Sequence, residues 1–213
     1  MASRERYLSL VTDVSQSDPR EELRQLLIQK SVCQGDFTLA SGAKSDFYVD
    51  ARVTTLDPRG ATLIGKVGWD LLRKTASELG YKVDAVGGLT MGADPIALSI
   101  GVTAYADNPE AFPQVFTVRK KVKEHGRHKL IEGNFAKGNS VLIIEDVITT
   151  GGSAMQAIDA IESEGGRVAF VVALVDRQEG GRGAIEARGH KVVAIFTRAD
   201  LLDAGERADR ATA

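Results

Sequence analysis

Short apolar runs alternate with segments of helical periodicity along most of this chain. Two of the helical segments lie between the runs, over Asp94–Ile100 and Ser153–Glu164. The runs are rich in β-branched residues, as buried strands are: Val83–Val86, Val115–Val118, Val141–Ile144, Val168–Val175 and Val192–Phe196. Because continuously apolar strands that alternate with helices are covered on both faces, the pattern predicts an α/β fold with a central parallel sheet flanked by helices.

The amino-terminal part predicts a smaller set of elements that lie over the sheet. Residues 1–17 are polar with scattered apolar positions, and we expect them to form a flexible extension. Asp18-Pro19 then predicts a helix start, with Asp as N-cap and Pro at the first helical position. Two short strands, 37–39 and 47–49, flank a turn-rich connection, so residues of about 18–55 are expected to form a small hood within a single domain, 18–213.

A second helix start is marked by Asp57-Pro58. Apolar residues from Leu63 to Leu72 follow at helical spacing. Gly80 is suited to the left-handed conformation that often ends a helix. The pattern therefore predicts one long helix between the hood and the first strand of the sheet.

Composition and charge exclude several classes of protein. The chain has 213 residues with 27 Lys and Arg against 29 Asp and Glu, so no global basic field attracts it to nucleic acid or to a membrane surface. Its longest apolar run is far short of the ~20 residues that cross a bilayer. The lone Cys33 cannot form an intrachain disulfide and is expected to be a small buried hydrophobe, and no Cys/His cluster suggests zinc. We therefore expect a cytoplasmic protein.

The most informative stretch is an apolar strand that ends in two acids and continues into a glycine loop. Glu145-Asp146 follow the strand, and Thr, Gly and Ser residues up to Ser153 then lead into a helix. Backbone N–H groups of such a loop converge on a phosphate, and carboxylates accept strong hydrogen bonds from sugar hydroxyls. The pattern favours a ribose 5-phosphate site, whereas the alternative is a tight turn whose acids merely cap the helix.

This stretch resembles the signature of the type I phosphoribosyltransferases: an apolar run, two acids, an apolar pair, Thr, a small residue and Gly. The resemblance implies that the loop holds the 5-phosphate of phosphoribosyl diphosphate. It implies further that the two acids hold the ribose hydroxyls.

A concentrated basic segment follows the second strand of the predicted sheet. Residues 119–129 carry six Lys and Arg, one Glu and two His. A solvated loop is the ordinary interpretation of such a run, and nonspecific nucleic-acid binding is disfavoured because no aromatic residues interleave. A third interpretation is a lid that stabilises the charge of a diphosphate leaving group.

Three motifs point to one branch of that family. Arg119-Lys120-x-x-Lys123-x-His125-Gly126 resembles the catalytic loop of orotate phosphoribosyltransferases. The segment from Phe37 to Tyr48 is similar to their hood, and Asp176-Arg177-x-Glu179 resembles the element whose Arg faces the orotate carboxylate. With the acid-and-glycine stretch, four motifs occur in the order of that family over about residues 20–200.

The resemblance implies an enzyme that makes orotidine 5-phosphate and diphosphate from orotate and phosphoribosyl diphosphate in pyrimidine biosynthesis. It implies that phosphoribosyl diphosphate, the donor of the transferred group, is bound by Lys44, Arg119, Lys120, Lys123, His125, Glu145, Asp146, Val147, Ile148, Thr149, Thr150, Gly151, Gly152 and Ser153. It implies that orotate is bound by Phe47, Tyr48, Thr149 and Arg177. The catalytic residues so implied are Arg119, Lys120, Lys123 and His125.

The resemblance also implies a cofactor and an assembly. Mg²⁺ is expected to be held by substrate and water, with no direct protein ligand. Lys120 is expected to reach the active site of a second subunit, which implies a homodimer. The alternatives are a purine or uracil phosphoribosyltransferase, or a regulator of the same fold that senses phosphoribosyl diphosphate without catalysis.

Overall fold

The computed structural model describes residues 18–38, 44–121 and 129–202. Its amino-terminal part is a hood of two helices and a hairpin. The hood consists of α1 (Pro19–Lys30), the antiparallel strands β1 (Val32–Thr38) and β2 (Lys44–Val49), and the short helix α2 (Arg52–Thr55). The extension expected over residues 1–17 lies outside the described residues.

The rest of the described chain forms a six-stranded sheet with helices on both faces. In chain order its elements are α3 (Pro58–Leu79), β3 (Ala85–Leu89), α4 (Ala93–Asp107), β4 (Gln114–Val118), β5 (Ile131–Gly133), β6 (Ser140–Ile148), α5 (Gly152–Ser163), β7 (Arg167–Asp176), α6 (Gly181–Glu186) and β8 (Val192–Thr197). The strand order is β5-β4-β3-β6-β7-β8, and every neighbouring pair is parallel except β4 with β5. The predicted fold class is therefore confirmed, with one antiparallel edge strand in addition.

Two apolar clusters hold the sheet between its layers. One packs α3, α4 and the hood against one face of the sheet, with Leu27 and Phe47 of the hood fully buried. The other packs α5 and Ile185 of α6 against the opposite face. The hood thus shares a core with the sheet, and this packing fixes β2 beside the carboxyl ends of the central strands.

Helix boundaries follow the predicted capping residues. The Asp18 carboxylate accepts from the backbone N–H of Arg20, and the Asp57 carboxylate accepts from that of Gly60. Gly80 ends α3 in the left-handed conformation, with φ of 70°. Both predicted helix starts and the predicted helix end are confirmed.

Cys33 is exposed, so the prediction that it is buried is wrong. In the hairpin Cys33 lies opposite Tyr48, which is also exposed, while Phe47 and Val49 on the other face are buried. Alternation along a strand therefore places Cys33 on the outer face of the hood. Within the described ranges, no helix combines the length and apolar character needed to span a bilayer.

Candidate active site

A cleft of about 280 Å³ lies where the hood meets the carboxyl ends of the sheet strands. Its walls come from the end of β2, the loop after β3, the end of β4 and the end of β6: Tyr48, Val49, Asp50, Ala51, Arg52, Leu89, Thr90, Met91, Gly92, Lys120, Glu145, Asp146, Val147 and Ser153. A larger cleft of about 620 Å³, near the amino ends of β3 and β4, contains none of the predicted site residues. Ligands of parallel α/β sheets bind outside the carboxyl ends of strands, so the smaller cleft is the candidate site.

The acid pair occupies the end of the central strand β6. Glu145 is 8% exposed, and its Oε2 atom has no hydrogen-bond partner among the described residues. Burial, and then the neighbouring charge of Asp146, raise the pKa of Glu145 to about 9. Asp146 is less buried, and its Oδ1 accepts from the N–H of Val147 at 2.9 Å. The pair therefore presents a neutral carboxyl next to a more accessible one, and both can bond sugar hydroxyls.

The loop after β6 delivers a helix N-terminus to the same cleft. Gly151, with φ of 83°, precedes α5, and no side chain caps this helix. The Thr149 carbonyl accepts from the N–H of Gly181 at 2.9 Å, and a Cβ on Gly181 would lie 2.4 Å from that oxygen. Because the loop packs tightly on the start of α6, the first N–H groups of α5 are held ready for an anion.

The loop between β3 and α4 closes another side of the cleft. A Cβ on Gly92 would lie 2.5 Å from the Cγ atom of Asp146, so only glycine fits there without displacing the carboxylate. Asp94 accepts from the hydroxyls of Thr90 at 2.7 Å and Thr117 at 2.5 Å. These bonds tie the loop to β4, the strand that leads into the basic segment.

Of the predicted catalytic residues in the basic segment, Lys120 lines the cleft and Arg119 lies outside it. Lys120 lines the cleft of its own chain, and its charge acts on Glu145. Arg119 lies beside Glu132 of β5, with 3.6 Å between Nη1 and Oε1, and does not line the cleft. Lys123 and His125 lie outside the described residues.

Arg177 is buried next to the hood at the end of β7. Its Nη2 donates to the Phe47 carbonyl at 3.0 Å and lies 2.6 Å from Oε1 of Glu179. Tyr48 follows Phe47 into the cleft wall, whereas the Phe47 ring is fully buried beneath the Arg198 guanidinium. The predicted orotate residues Phe47, Tyr48 and Arg177 are therefore neighbours, while the side chain of Lys44 lies outside the described residues.

Sequence reasoning missed several groups at this site. Asp50 and Arg52 line the cleft, and Glu179 binds Arg177, yet none of Asp50, Arg52 and Glu179 was given a role. Asp50 and Arg52 stand directly after the hood strand, where no periodicity distinguishes them from an ordinary polar turn. Their one signal is a position just after the hood motif.

This sheet and cleft, with two carboxyls and an uncapped helix N-terminus at the end of the central strand, define a phosphoribosyltransferase of type I fold. Orotate phosphoribosyltransferase from Rhodopirellula baltica is 41% identical to this chain over 176 residues, 83% of this chain and 90% of that protein. The enzyme from Mycobacterium bovis (strain BCG / Pasteur 1173P2) is 43% identical over 182 residues, 85% of this chain and 96% of that protein. The chain belongs to the orotate phosphoribosyltransferase family, as its four motifs predicted.

Solved structures agree with this assignment. Mycobacterium tuberculosis H37Rv orotate phosphoribosyltransferase, in complex with 5-phospho-alpha-D-ribosyl 1-diphosphate, matches with a TM-score of 0.70 and 38% identity over 86% of this chain and 99% of that chain. No protein-family model matches the chain.

Proposed function

We propose that this protein transfers the 5-phosphoribosyl group of phosphoribosyl diphosphate to orotate, giving orotidine 5-phosphate and diphosphate. One observation carries the proposal: the Glu145–Asp146 pair and the uncapped start of α5 border one cleft. Membership of the orotate phosphoribosyltransferase family supports the choice of acceptor.

The donor is held at both ends of its sugar. Asp146 and Glu145 bond the ribose hydroxyls, and the unpartnered Oε2 of Glu145 offers a buried acceptor. The loop Val147–Ser153 surrounds the 5-phosphate, with the N–H groups of Gly152 and Ser153 as donors. Fixing both ends orients the anomeric carbon for attack, which is the main contribution that positioning makes to the rate.

Charge develops on the leaving group as the bond from the anomeric carbon to diphosphate breaks and the bond to the orotate nitrogen forms. Lys120 lines the cleft from the end of β4 and places a cation there. We assign the rest of this charge stabilisation to Lys123 and His125 of the same segment. Arg119 would have to leave its ion pair with Glu132 to take the role that the resemblance implies for it. Such groups act most strongly where water is excluded.

Orotate binds beside the hood. Arg177 faces the orotate carboxylate, with Tyr48 and Thr149 nearby and the Phe47 backbone as a wall. Phe47 and Glu179 already hold the Arg177 guanidinium, so its orientation is fixed before the base arrives. This preorganisation favours a base with a carboxylate over one without.

Mg²⁺ fits the chemistry of the cleft. The described residues contain no cluster of three or more His, Cys, Asp or Glu that could hold a metal ion by itself. Substrate phosphates, ribose hydroxyls and water would supply the oxygen ligands that Mg²⁺ prefers, and the Asp146 carboxylate in the cleft lining would favour a cation nearby. When bound, the ion would neutralise charge on the diphosphate.

A homodimer is the assembly we propose. Leu98, Val102 and Tyr105 of α4 form an apolar stripe at helical spacing, with exposed fractions of 57%, 60% and 55%. Exposed apolar patches of this kind are typical of interfaces. Lys120 lines the cleft of its own chain, and the family resemblance implies that in such a dimer it also reaches the partner's site.

The choice of acceptor is tested by offering one base at a time. Diphosphate release is measured with phosphoribosyl diphosphate, Mg²⁺ and either orotate, uracil, hypoxanthine or adenine. We expect release with orotate to exceed release with uracil by at least about 100-fold, because uracil lacks the carboxylate that Arg177 is proposed to bind. Equal or faster release with uracil or a purine would reject orotate as the acceptor.

A further inference from the structure

An arginine that the family motifs do not single out lines the cleft on the hood side. Asp50 directly follows the last strand of the hood hairpin, and Arg52 begins α2. The Arg52 guanidinium donates to both oxygens of Asp50, from Nε at 2.8 Å and from Nη2 at 3.0 Å. The backbone N–H of Arg52 also donates to Asp50, at 3.2 Å. The guanidinium is therefore held in one orientation by its neighbour two residues away.

This arrangement leaves part of the guanidinium for a ligand. Across the described ranges, no residue accepts from Nη1 of Arg52, and the side chain is 52% exposed. The bond to Asp50 raises the pKa of Arg52 above its ordinary value, and the Asp146 carboxylate adds to this effect. Arg52 thus stays charged and acts on the same space as the acid pair.

Among the described charged residues that line the cleft, acidic groups outnumber cations, and Arg52 is one of these few cations. Three carboxyl side chains face it, from Asp50, Glu145 and Asp146. Within the described part of the chain, Arg52 and Lys120 are the cations of its lining. A diphosphate that enters this space needs cations to offset the acids, and the planar guanidinium suits bidentate contact with phosphate oxygens.

We propose that Arg52 binds the diphosphate group of the donor from the hood side of the cleft, while Lys120 binds it from the end of β4. This inference rests on the proposed function and adds a residue to it. Asp50 is the positioning residue: it orders the long Arg52 side chain before the ligand binds and so lowers the entropic cost of binding.

Two ligands that each carry one part of the donor test this assignment. Inorganic diphosphate with Mg²⁺, and separately ribose 5-phosphate, are titrated calorimetrically into the wild-type protein, Arg52→Ala and Arg52→Lys. The control is Arg59→Ala, an exposed arginine of α3 that pairs with Glu22 outside the cleft.

We expect Arg52→Ala to weaken diphosphate binding by about tenfold or more, the value of one charge-assisted hydrogen bond. Ribose 5-phosphate should bind within about twofold of wild type, and Arg59→Ala should bind both ligands normally, as distant surface changes do. Arg52→Lys should recover part of the diphosphate affinity, because it keeps the charge and loses the planar contact.

Unchanged diphosphate affinity in Arg52→Ala would overturn the assignment. An equal loss for both ligands would also overturn it, because Arg52 would then support the cleft as a whole. If the wild-type protein bound neither ligand, the proposed function would fail as well. Wild-type binding without an effect of the variant would reject the Arg52 contact alone.

Discussion

At the scale of single residues, neighbouring carboxyls at the end of β6 have different surroundings. Glu145 is buried against the sheet and its pKa is raised to about 9, while Asp146 accepts a backbone hydrogen bond at the cleft wall. Both side chains line the same cleft, and the charge of Asp146 adds to the effect of burial on Glu145. A pattern of residue types predicts the pair, but only the packing shows which carboxyl is neutral.

The raised pKa predicts a pH dependence of stability. The folded chain keeps a proton on Glu145 between the ordinary pKa of 4.5 and about 9, where the unfolded chain has lost it. The free energy of unfolding should therefore fall as pH rises through that range, by at most about 1.4 kcal/mol per pH unit from this group. Glu145→Gln cannot ionise there, so denaturant unfolding of this variant should show a shallower decline. Equal slopes in the two proteins would contradict the buried, protonated state.

Arg177 is expected to select the base and not the donor. Arg177→Lys keeps a cation but loses the planar contact, so KM for orotate should rise by about tenfold while KM for the donor stays within about twofold. Arg182→Lys is a matched control, because this exposed arginine pairs with Glu186 on α6. Initial rates at varied orotate and at varied donor separate the two constants. The reverse pattern would place Arg177 at the donor.

At the scale of elements, the capping residues in the sequence correctly predicted where helices begin and end. Asp18 and Asp57 cap the helices they were expected to start, and Gly80 ends the long one. Helix α2 and strand β5 were missed, since they are four and three residues long and too short to show periodicity. Cys33 was predicted to be buried because the sequence does not show which face of the hairpin packs on the core. The bond from Arg177 to the Phe47 carbonyl depends in the same way on how the hood meets the sheet.

The loop after β3 should be sensitive to a single methyl group. Gly92→Ala would press a Cβ against the Asp146 carboxylate, so we expect kcat/KM to fall by about 10- to 100-fold. Gly183→Ala is the matched control, because a Cβ at that position meets nothing within 4 Å. Steady-state kinetics and thermal unfolding of both variants check the expectation. Normal kinetics in Gly92→Ala would show that Asp146 can move without cost to the reaction.

At the scale of the whole molecule, hood and sheet share one apolar cluster, and the cleft lies along their junction. The site is therefore assembled from four chain segments that are distant in sequence. The motifs predicted three of these segments, at the hood, the basic segment and the acid-and-glycine stretch, whereas the loop after β3 carries none of the four motifs. These segments come together because one apolar core packs the hood onto the sheet.

The apolar stripe of α4 predicts how the molecule assembles. Val102→Asp places a charge in the middle of the stripe, so the variant should sediment as a monomer and lose activity if sites are shared. Leu79→Asp, at the end of α3, is the control and should keep the wild-type mass. Analytical ultracentrifugation, with activity measured at the same protein concentration, tests whether the protein is a dimer and whether its activity depends on the dimer. A fully active wild-type monomer would contradict shared sites.

The central claim is transfer of a phosphoribosyl group to orotate, and the most direct test follows orotate by its ultraviolet absorbance. Purified protein is mixed with orotate, phosphoribosyl diphosphate and Mg²⁺, and then with each component omitted in turn. We expect absorbance to fall only in the complete mixture. Unchanged absorbance in the complete mixture, with donor binding still measurable by calorimetry, would contradict the assigned reaction while leaving the fold and the donor site intact.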